Sequence, residues 1–313
     1  MVLFGNSLPE IINFSNLTKI ASEGASLVYA AYWRNTSKFA IKKFKSITKE
    51  EVINEIYLTR TVNPHPYIIL FYGVTKFKGD TNYSLVFEYA DGGTLEKYLR
   101  DSIITFNWES QLKFSKEMAS AISWLHVDKG IIHGDLHPKN ILVHQHTIKL
   151  ADFGRSCLQE SDCYIKAYGV IPYVDPMLFD NKGHSYCLTK KSDIYSLGVL
   201  FWELTSRSSP FNFESTKDPD SIMLRILNEC WRHKPDERPD ICHVILKLNS
   251  IDSENNSASN NFTSNNDTLQ LKKDETTEKL ENEDSDLSNC DRDCDLSKIL
   301  METSLTKCSQ NGI

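Results

Sequence analysis

The chain has 313 residues, 40% of them hydrophobic and 25% charged, with a formal net charge of −7, a composition typical of a soluble protein longer than one core usually spans. No stretch approaches the roughly 18 uninterrupted apolar residues of a membrane helix, and the opening MVLFGNSLPEIINF lacks the basic and apolar regions of a signal peptide, so no membrane association and a cytoplasmic location are expected. The acidity is confined to one end. Residues 251–313 carry 6 Lys or Arg against 14 Asp or Glu, net −8, while 1–250 carry 29 against 28, net +1, and neither part has the basic excess of a nucleic-acid binder.

In chain order, residues 1–13 form an N-terminal extension. Residues 14–90 read mostly as strand, with β-branched and aromatic runs SLVYAAYW (26–33), KFAIKKF (38–44), YIILFYGVT (67–75) and YSLVFEYA (83–90), interrupted by one helical pattern, KEEVINEIYLTRTV at 49–62. After DGG at 91–93 the period turns helical. ESQLKFSKEMASAISWLH places Leu112, Met118, Ala119, Ile122 and Leu125 on one face, and DIYSLGVLFWELTS is apolar nearly all round, as a buried helix must be. The expected class is therefore α+β, a small β-rich lobe (14–90) and a larger helical lobe (91–249) joined at a Gly-Gly hinge, with a ligand cleft between them. Residues 250–313, rich in Ser, Asn and acids with Phe262 as their one aromatic, are expected to be disordered apart from a short helical candidate at LSKILMETSL. Protein partners acting through this tail are a low-ranked expectation. The eight cysteines form no C-x-x-C unit, so reduced thiols are expected, and CDRDC at 290–294 reads as an unliganded pair.

Between the two helical patterns lies IIHGDLHPKNILVHQHTIKLADFG. NILV and IKLA flank a polar HQHT turn and predict a hairpin, with Asp135 and Asn140 before it and Asp152 after it. Three oxygen side chains converge at one end of that hairpin, which suits Mg²⁺ holding phosphates. His126, His133, His137, His144 and His146 have no regular ligand spacing, so a zinc site is not expected.

These residues carry a resemblance to the protein kinase family over roughly 14–249, and the chain looks most like its tyrosine-kinase-like group. The resemblance rests on ordered motifs: AIK at 40–42, a helical Glu55, HGDLHPKN at 133–140, DFG at 152–154, SDIYSLG at 192–198 and ERP at 237–239. It implies a bilobal kinase fold and transfer of the γ-phosphoryl of Mg·ATP to a protein hydroxyl, with Asp135 as catalytic base and Asn140 and Asp152 as magnesium ligands. Lys42 would grip the α- and β-phosphates with Glu55 as its partner, and Lys43 next door would face the other way. Val28 and Ala40 would roof the adenine pocket and Leu142 floor it, with the Glu88 carbonyl and Ala90 amide as hinge partners and Phe87 behind. Asp193 would anchor the catalytic loop and His133 brace it. ATP and Mg²⁺ are thus the implied cofactors and an unidentified protein the substrate.

The chain departs from the family pattern in several places. The glycine-rich loop holds Ala21, Glu23 and Ser26 at its three glycine positions and keeps only Gly24, so Glu23 would repel phosphate. Gly134 replaces the usual arginine, which predicts little dependence on activation-segment phosphorylation, although Ser156, Ser161, Tyr164 and Tyr168 could accept phosphate. Asp-Pro-Met at 175–177 leaves Arg238 without its expected glutamate, so another acid or solvent must compensate. Thr59 stands where an apolar residue would pack behind Phe71, Phe153 and His133, and is expected to loosen the alignment. His137 and Val170 depart from the serine/threonine pattern, while Lys139 could still neutralise the γ-phosphate. The overall look favours Ser/Thr over Tyr. Two alternatives remain at this point: a pseudokinase acting as a binding or scaffold module, and a small-molecule phosphotransferase, whose loops HGDLHPKN also resembles.

Overall fold

The computed structural model describes residues 14–24, 26–45, 47–80, 83–159, 169–179, 187–212 and 234–251. A five-stranded antiparallel sheet, in the order β1-β2-β3-β5-β4, makes the first lobe. Its strands are β1 (Phe14–Glu23), β2 (Ser26–Trp33), β3 (Ser37–Phe44), β4 (Phe71–Thr75) and β5 (Ser84–Glu88). The helical pattern after β3 forms α1 (Lys49–Val62), entered through a capping box in which the Thr48 side chain accepts from the Glu51 N–H and the Glu51 carboxylate accepts from the Thr48 N–H. That reciprocal cap satisfies two of the orphan donors at the helix start.

The run 67–75 is only partly a strand. Its first residues leave the sheet and pair with the other lobe: the Leu150 N–H donates to the Tyr67 carbonyl at 2.8 Å and the Ile69 N–H to the Leu150 carbonyl at 2.9 Å. An apolar run buried between two lobes carries the same sequence signal as a buried strand.

The second lobe holds α2 (Leu95–Arg100), α3 (Trp108–Ser123) with a π-helical turn after it (Trp124–Lys129), then β6 (Ile131–Ile132), β7 (Ile141–His144), β8 (Thr147–Leu150), β9 (Cys157–Leu158), α4 (Lys190–Ser206) and α5 (241–251). Leu112, Met118, Ala119, Ile122 and Leu125 are all buried, as the apolar stripe of α3 requires, and α4 buries Ile194, Leu197, Val199, Leu200, Phe201 and Leu204 in the same core. The expected hairpin is β7–β8, closed by Gln145 and His146 at φ 49° and 58°, the left-handed pair that a two-residue turn needs to match strand twist. The Gly-Gly connection is not a loose hinge. The Gly92 N–H donates to the Val143 carbonyl and the Val143 N–H to the Gly93 carbonyl, at 2.9 and 2.8 Å, which pins the connection to β7.

The expectation of reduced thiols needs a correction at Cys157, which is disulfide-bonded. Cys187 and Cys242 are free. The N-terminal extension, the tail with its helical candidate, and Ser161, Tyr164 and Tyr168 lie outside the described residues.

Candidate active site

Strand alternation on β3 turns Lys42 inward, between Val28 of β2 and Leu85 of β5, and turns Lys43 outward onto Asp80 at 2.8 Å. The Lys42 Nζ reaches Glu55 Oε1 of α1 at 2.7 Å and Asp152 Oδ1 at 2.8 Å. Burial disfavours the ammonium, but the Asp152 and Glu55 carboxylates outweigh it and hold the lysine above its ordinary pKa. Burial pushes Glu55 up, with Lys42 opposing and nearby Asp152 adding to the rise. Asp152 is held low: burial opposes its charge, and Lys42 and the Gly154 N–H more than offset that. Asp152 adopts φ 65°, a left-handed conformation that costs a non-glycine residue about 1–2 kcal/mol and is tolerated where the fold over-determines it.

The loop 133–140 is braced from beneath. Asp193, at the start of α4, accepts from the His133 N–H (2.8 Å), the Gly134 N–H (2.9 Å) and His126 Nε2 (2.8 Å). These donors keep the fully buried carboxylate below its ordinary pKa, although burial itself pulls the other way. The Asp135 N–H donates to His133 Nδ1, and His133 Nε2 lies 3.2 Å from the Ala151 carbonyl. Burial pushes His133 below its ordinary pKa, and with Nδ1 accepting from the Asp135 N–H, Nε2 is left to donate to the Ala151 carbonyl, which joins the loop to the strand leading into Asp152. Asn140 Nδ2 donates to the Asp135 carbonyl at 2.9 Å and contacts Asp135 Oδ2 at 3.3 Å. Asp135, Asn140 and Asp152 therefore share one end of the β7–β8 hairpin.

The apolar positions expected around a nucleotide also gather. Ala40, Ala90 and Leu142 pack on one cluster with Phe71, Leu85 and Phe87, and Val28 pairs with Lys42 in the ladder. Ala21 pairs with Val28 and Gly24 turns the chain between β1 and β2. The side chain of Glu23 lies outside what the structure describes. The Glu88 carboxylate accepts from the Leu70 N–H at 2.7 Å and pairs with Lys149 at 3.1 Å. Lys139 pairs with Glu96, at 3.8 Å. Ser156 is buried and donates to the His133 carbonyl at 2.9 Å, which makes it a structural residue in this conformation.

Three arrangements were not foreseen in detail. Arg238 finds its acid two residues early: the Asp175 carboxylate accepts from both terminal guanidinium nitrogens, at 2.6 and 2.9 Å. Glu203, wholly buried in α4, accepts from Arg100 Nη2 and from the Tyr173 hydroxyl, both at 2.6 Å. Thr59 is fully buried in α1, and its hydroxyl has no hydrogen-bond partner among the described residues, yet the Lys42–Glu55 contact is closed at 2.7 Å, so the expected loosening is not seen.

The family model described as Protein kinase domain matches residues 14–272. The chain belongs to the protein kinase family. Relatives of this kinase domain include the dual specificity protein kinase splA of Dictyostelium discoideum, 28% identical over 72% of this chain and 11% of that one. A leaf rust 10 disease-resistance locus receptor-like protein kinase-like 1.4 of Arabidopsis thaliana is 34% identical over 62% and 29%. Mitogen-activated protein kinase kinase kinase 7 of Drosophila melanogaster is 24% identical over 77% and 38%. The chain thus spans only about a tenth to two fifths of the length of these kinases. Membership in the family leaves the small-molecule phosphotransferase reading without support. No helix among the described residues is long and apolar enough to cross a membrane.

Proposed function

We propose that this kinase domain is catalytically active and transfers the γ-phosphoryl group of ATP to a serine or threonine hydroxyl of a protein. The observation that carries the reading is the single ammonium of Lys42 held at once by Glu55 of α1 and Asp152 of the DFG segment, at 2.7 and 2.8 Å. That contact closes only when α1 and the DFG segment both face the cleft. A pseudokinase usually lacks at least one member of the set Lys42, Glu55, Asp135, Asn140 and Asp152, which is complete here, and this favours activity.

In this reading Asp135 accepts the proton of the acceptor hydroxyl while its oxygen forms a bond to the γ-phosphorus and the bond to the ADP oxygen breaks. Lys42 binds the α- and β-phosphates, and Lys139 swings from Glu96 to the γ-phosphate. Val28, Ala40 and Leu142 enclose the adenine, with the Glu88 carbonyl and Ala90 amide beside it. Asn140 and Asp152 fit a magnesium ion. Asn140 commits Nδ2 to Asp135, which frees its Oδ1, and Asp152 spends Oδ1 on Lys42 and the Gly154 N–H, keeping Oδ2 without a partner among the described residues. The ion would neutralise charge on the phosphates during transfer.

Several relatives bear serine/threonine kinase names, among them the probable serine/threonine-protein kinase gdt4 of Dictyostelium discoideum, and this supports Ser/Thr over Tyr. We further propose that 14–249 acts as the catalytic unit, that 250–313 is a separate acidic tail, and that a reaction consuming ATP takes place in the cytoplasm. The test is γ-phosphate transfer from Mg·ATP to casein, with the acceptor residue identified, for the wild-type chain and Asp135→Asn. Transfer to serine or threonine that is lost in the variant is expected. Equal background in both would reject the reading.

A further inference from the structure

The loop 133–140 carries no arginine before its aspartate, and the geometry explains why. Gly134 sits at φ 74°, and a Cβ there would lie 2.8 Å from Leu188 Cδ1 and 3.0 Å from the Arg155 carbonyl oxygen. The backbone of Arg155 occupies the space a side chain at 134 would need. Its own side chain then brings a cation to the loop's aspartate: Arg155 Nη1 lies 3.5 Å from Asp135 Oδ1, with both side chains partly buried.

The other oxygen of the same carboxylate is held as well. Asn140 Nδ2 is 3.3 Å and His137 Nε2 3.7 Å from Asp135 Oδ2. The carboxylate is therefore gripped at both ends, by the loop on one side and by the residue following DFG on the other. Each oxygen keeps a lone pair for a further hydrogen bond. The chain returning toward α4 reaches the same point. Gly169 is at φ 155°, and a Cβ on it would lie 3.4 Å from Asp135 Oδ1 and 3.5 Å from Arg155 Nη1. One guanidinium thus touches the catalytic loop and borders the segment that leads into Val170 and Tyr173.

We propose that Arg155 is a positioning residue for the transfer step: it fixes the Asp135 carboxylate and ties it to the segment at Gly169, so that the acceptor site is assembled by a cation of the chain itself and needs no added phosphate. The role in transfer rests on the kinase activity proposed above, while the tether itself does not. A general base must be held in reach of the proton it takes, and small misplacement of such a group lowers the rate steeply.

The test uses the full chain with Arg155→Met, which keeps length and removes charge, and Arg155→Lys, which keeps charge. In transfer from Mg·ATP to casein, kcat of the Met variant is expected to fall about tenfold or more with KM for ATP little changed, and the Lys variant to recover most of it. Phosphatase treatment of the wild-type chain should leave kcat unchanged. A Met variant with wild-type kcat, a rise in kcat, or loss of wild-type activity on phosphatase treatment would overturn the proposal. If the wild-type chain transfers nothing, the activity reading has failed by itself, and amide hydrogen exchange decides on the tether. Faster exchange at 133–140 and 169–174 in the Met variant supports it, and unchanged exchange overturns it.

Discussion

Two ion-paired clusters in this kinase domain use the same chemistry for opposite ends. In the cleft, Lys42 and Glu55 are nearly buried, at 10% and 4% side-chain exposure, but Asp152 keeps 32%. Beneath the activation segment, Arg238 and Asp175 keep 6% and 0%. The first cluster is left open on one side, with a carboxylate oxygen unspent, and so can exchange its partners for phosphate and metal. The second is closed by a bidentate pair with additional contacts to the backbone, such as Arg238 Nη1 to the Lys191 carbonyl at 2.9 Å. An open cluster tolerates losing a member and the chemistry suffers; a sealed one leaves a bare charge in the core and the fold suffers.

The largest effects should separate along this line. Asp135→Asn is expected to lower kcat by about 10²–10⁴-fold while the thermal midpoint stays within a few degrees, since Asp135 lies on the open side. A large fall in midpoint would break the distinction. Asp175→Ala should do the reverse. Stranding Arg238 is expected to cost about 3–5 kcal/mol, or a midpoint lower by roughly 10 °C for a domain of this size, read by thermal unfolding. The pair can be sharpened with Asp175→Ala/Met177→Glu, which returns a carboxylate to the position from which it is missing. Partial recovery of the midpoint would show that the charge matters more than its exact perch, and none would show that the two-residue shift has reshaped the site around Asp175.

How far the sequence reached follows the same division. Lys42, Glu55, Asp135, Asn140 and Asp152 were legible because the ordered motifs that hold them resemble those of protein kinases, and the structure joins Lys42 to Glu55 and Asp152, and Asn140 to Asp135. The apolar stripe of α3 and the buried α4 were legible because helical period is a local signal. The partner of Arg238 was not, because an acid two residues from its expected place is indistinguishable from any other aspartate until the chain is folded. Glu203 was hidden for a related reason: within the apolar run of α4 it reads as a stray polar residue, and its partners Arg100 and Tyr173 come from distant parts of the chain. Arg155 gave one clue, the glycine at 134, but only the backbone geometry shows that the missing side chain has been displaced by a neighbour's carbonyl.

A pH experiment probes the sealed side further. Asp193 titrates from an unfolded value of 3.8 to a lower folded one, so its contribution to stability is present above pH 3.8 and is lost as pH falls through the folded value. Asp193→Asn should be less stable near neutrality, and its stability should fall less steeply on acidification, by roughly the uptake of one proton, in urea midpoints taken from pH 5 downward in about half-unit steps. An identical acid limb in the variant would mean that other carboxylates dominate, Asp152 first among them because it is also held low.

The smallest effect is expected at Thr59 of α1, where a hydroxyl is buried without a partner among the described residues. Val matches its shape and removes only the unsatisfied oxygen, so Thr59→Val should raise stability by about 1 kcal/mol, seen as a higher denaturant midpoint at unchanged slope. The sign is the informative part. A gain would place Thr59 with the sealed cluster, as a polar atom the core carries at a cost and without a role in closing the Lys42–Glu55 contact. A loss of stability would mean that the hydroxyl meets an ordered water, and that the region around Thr59 is wetter, and closer in character to the open cleft, than its burial indicates.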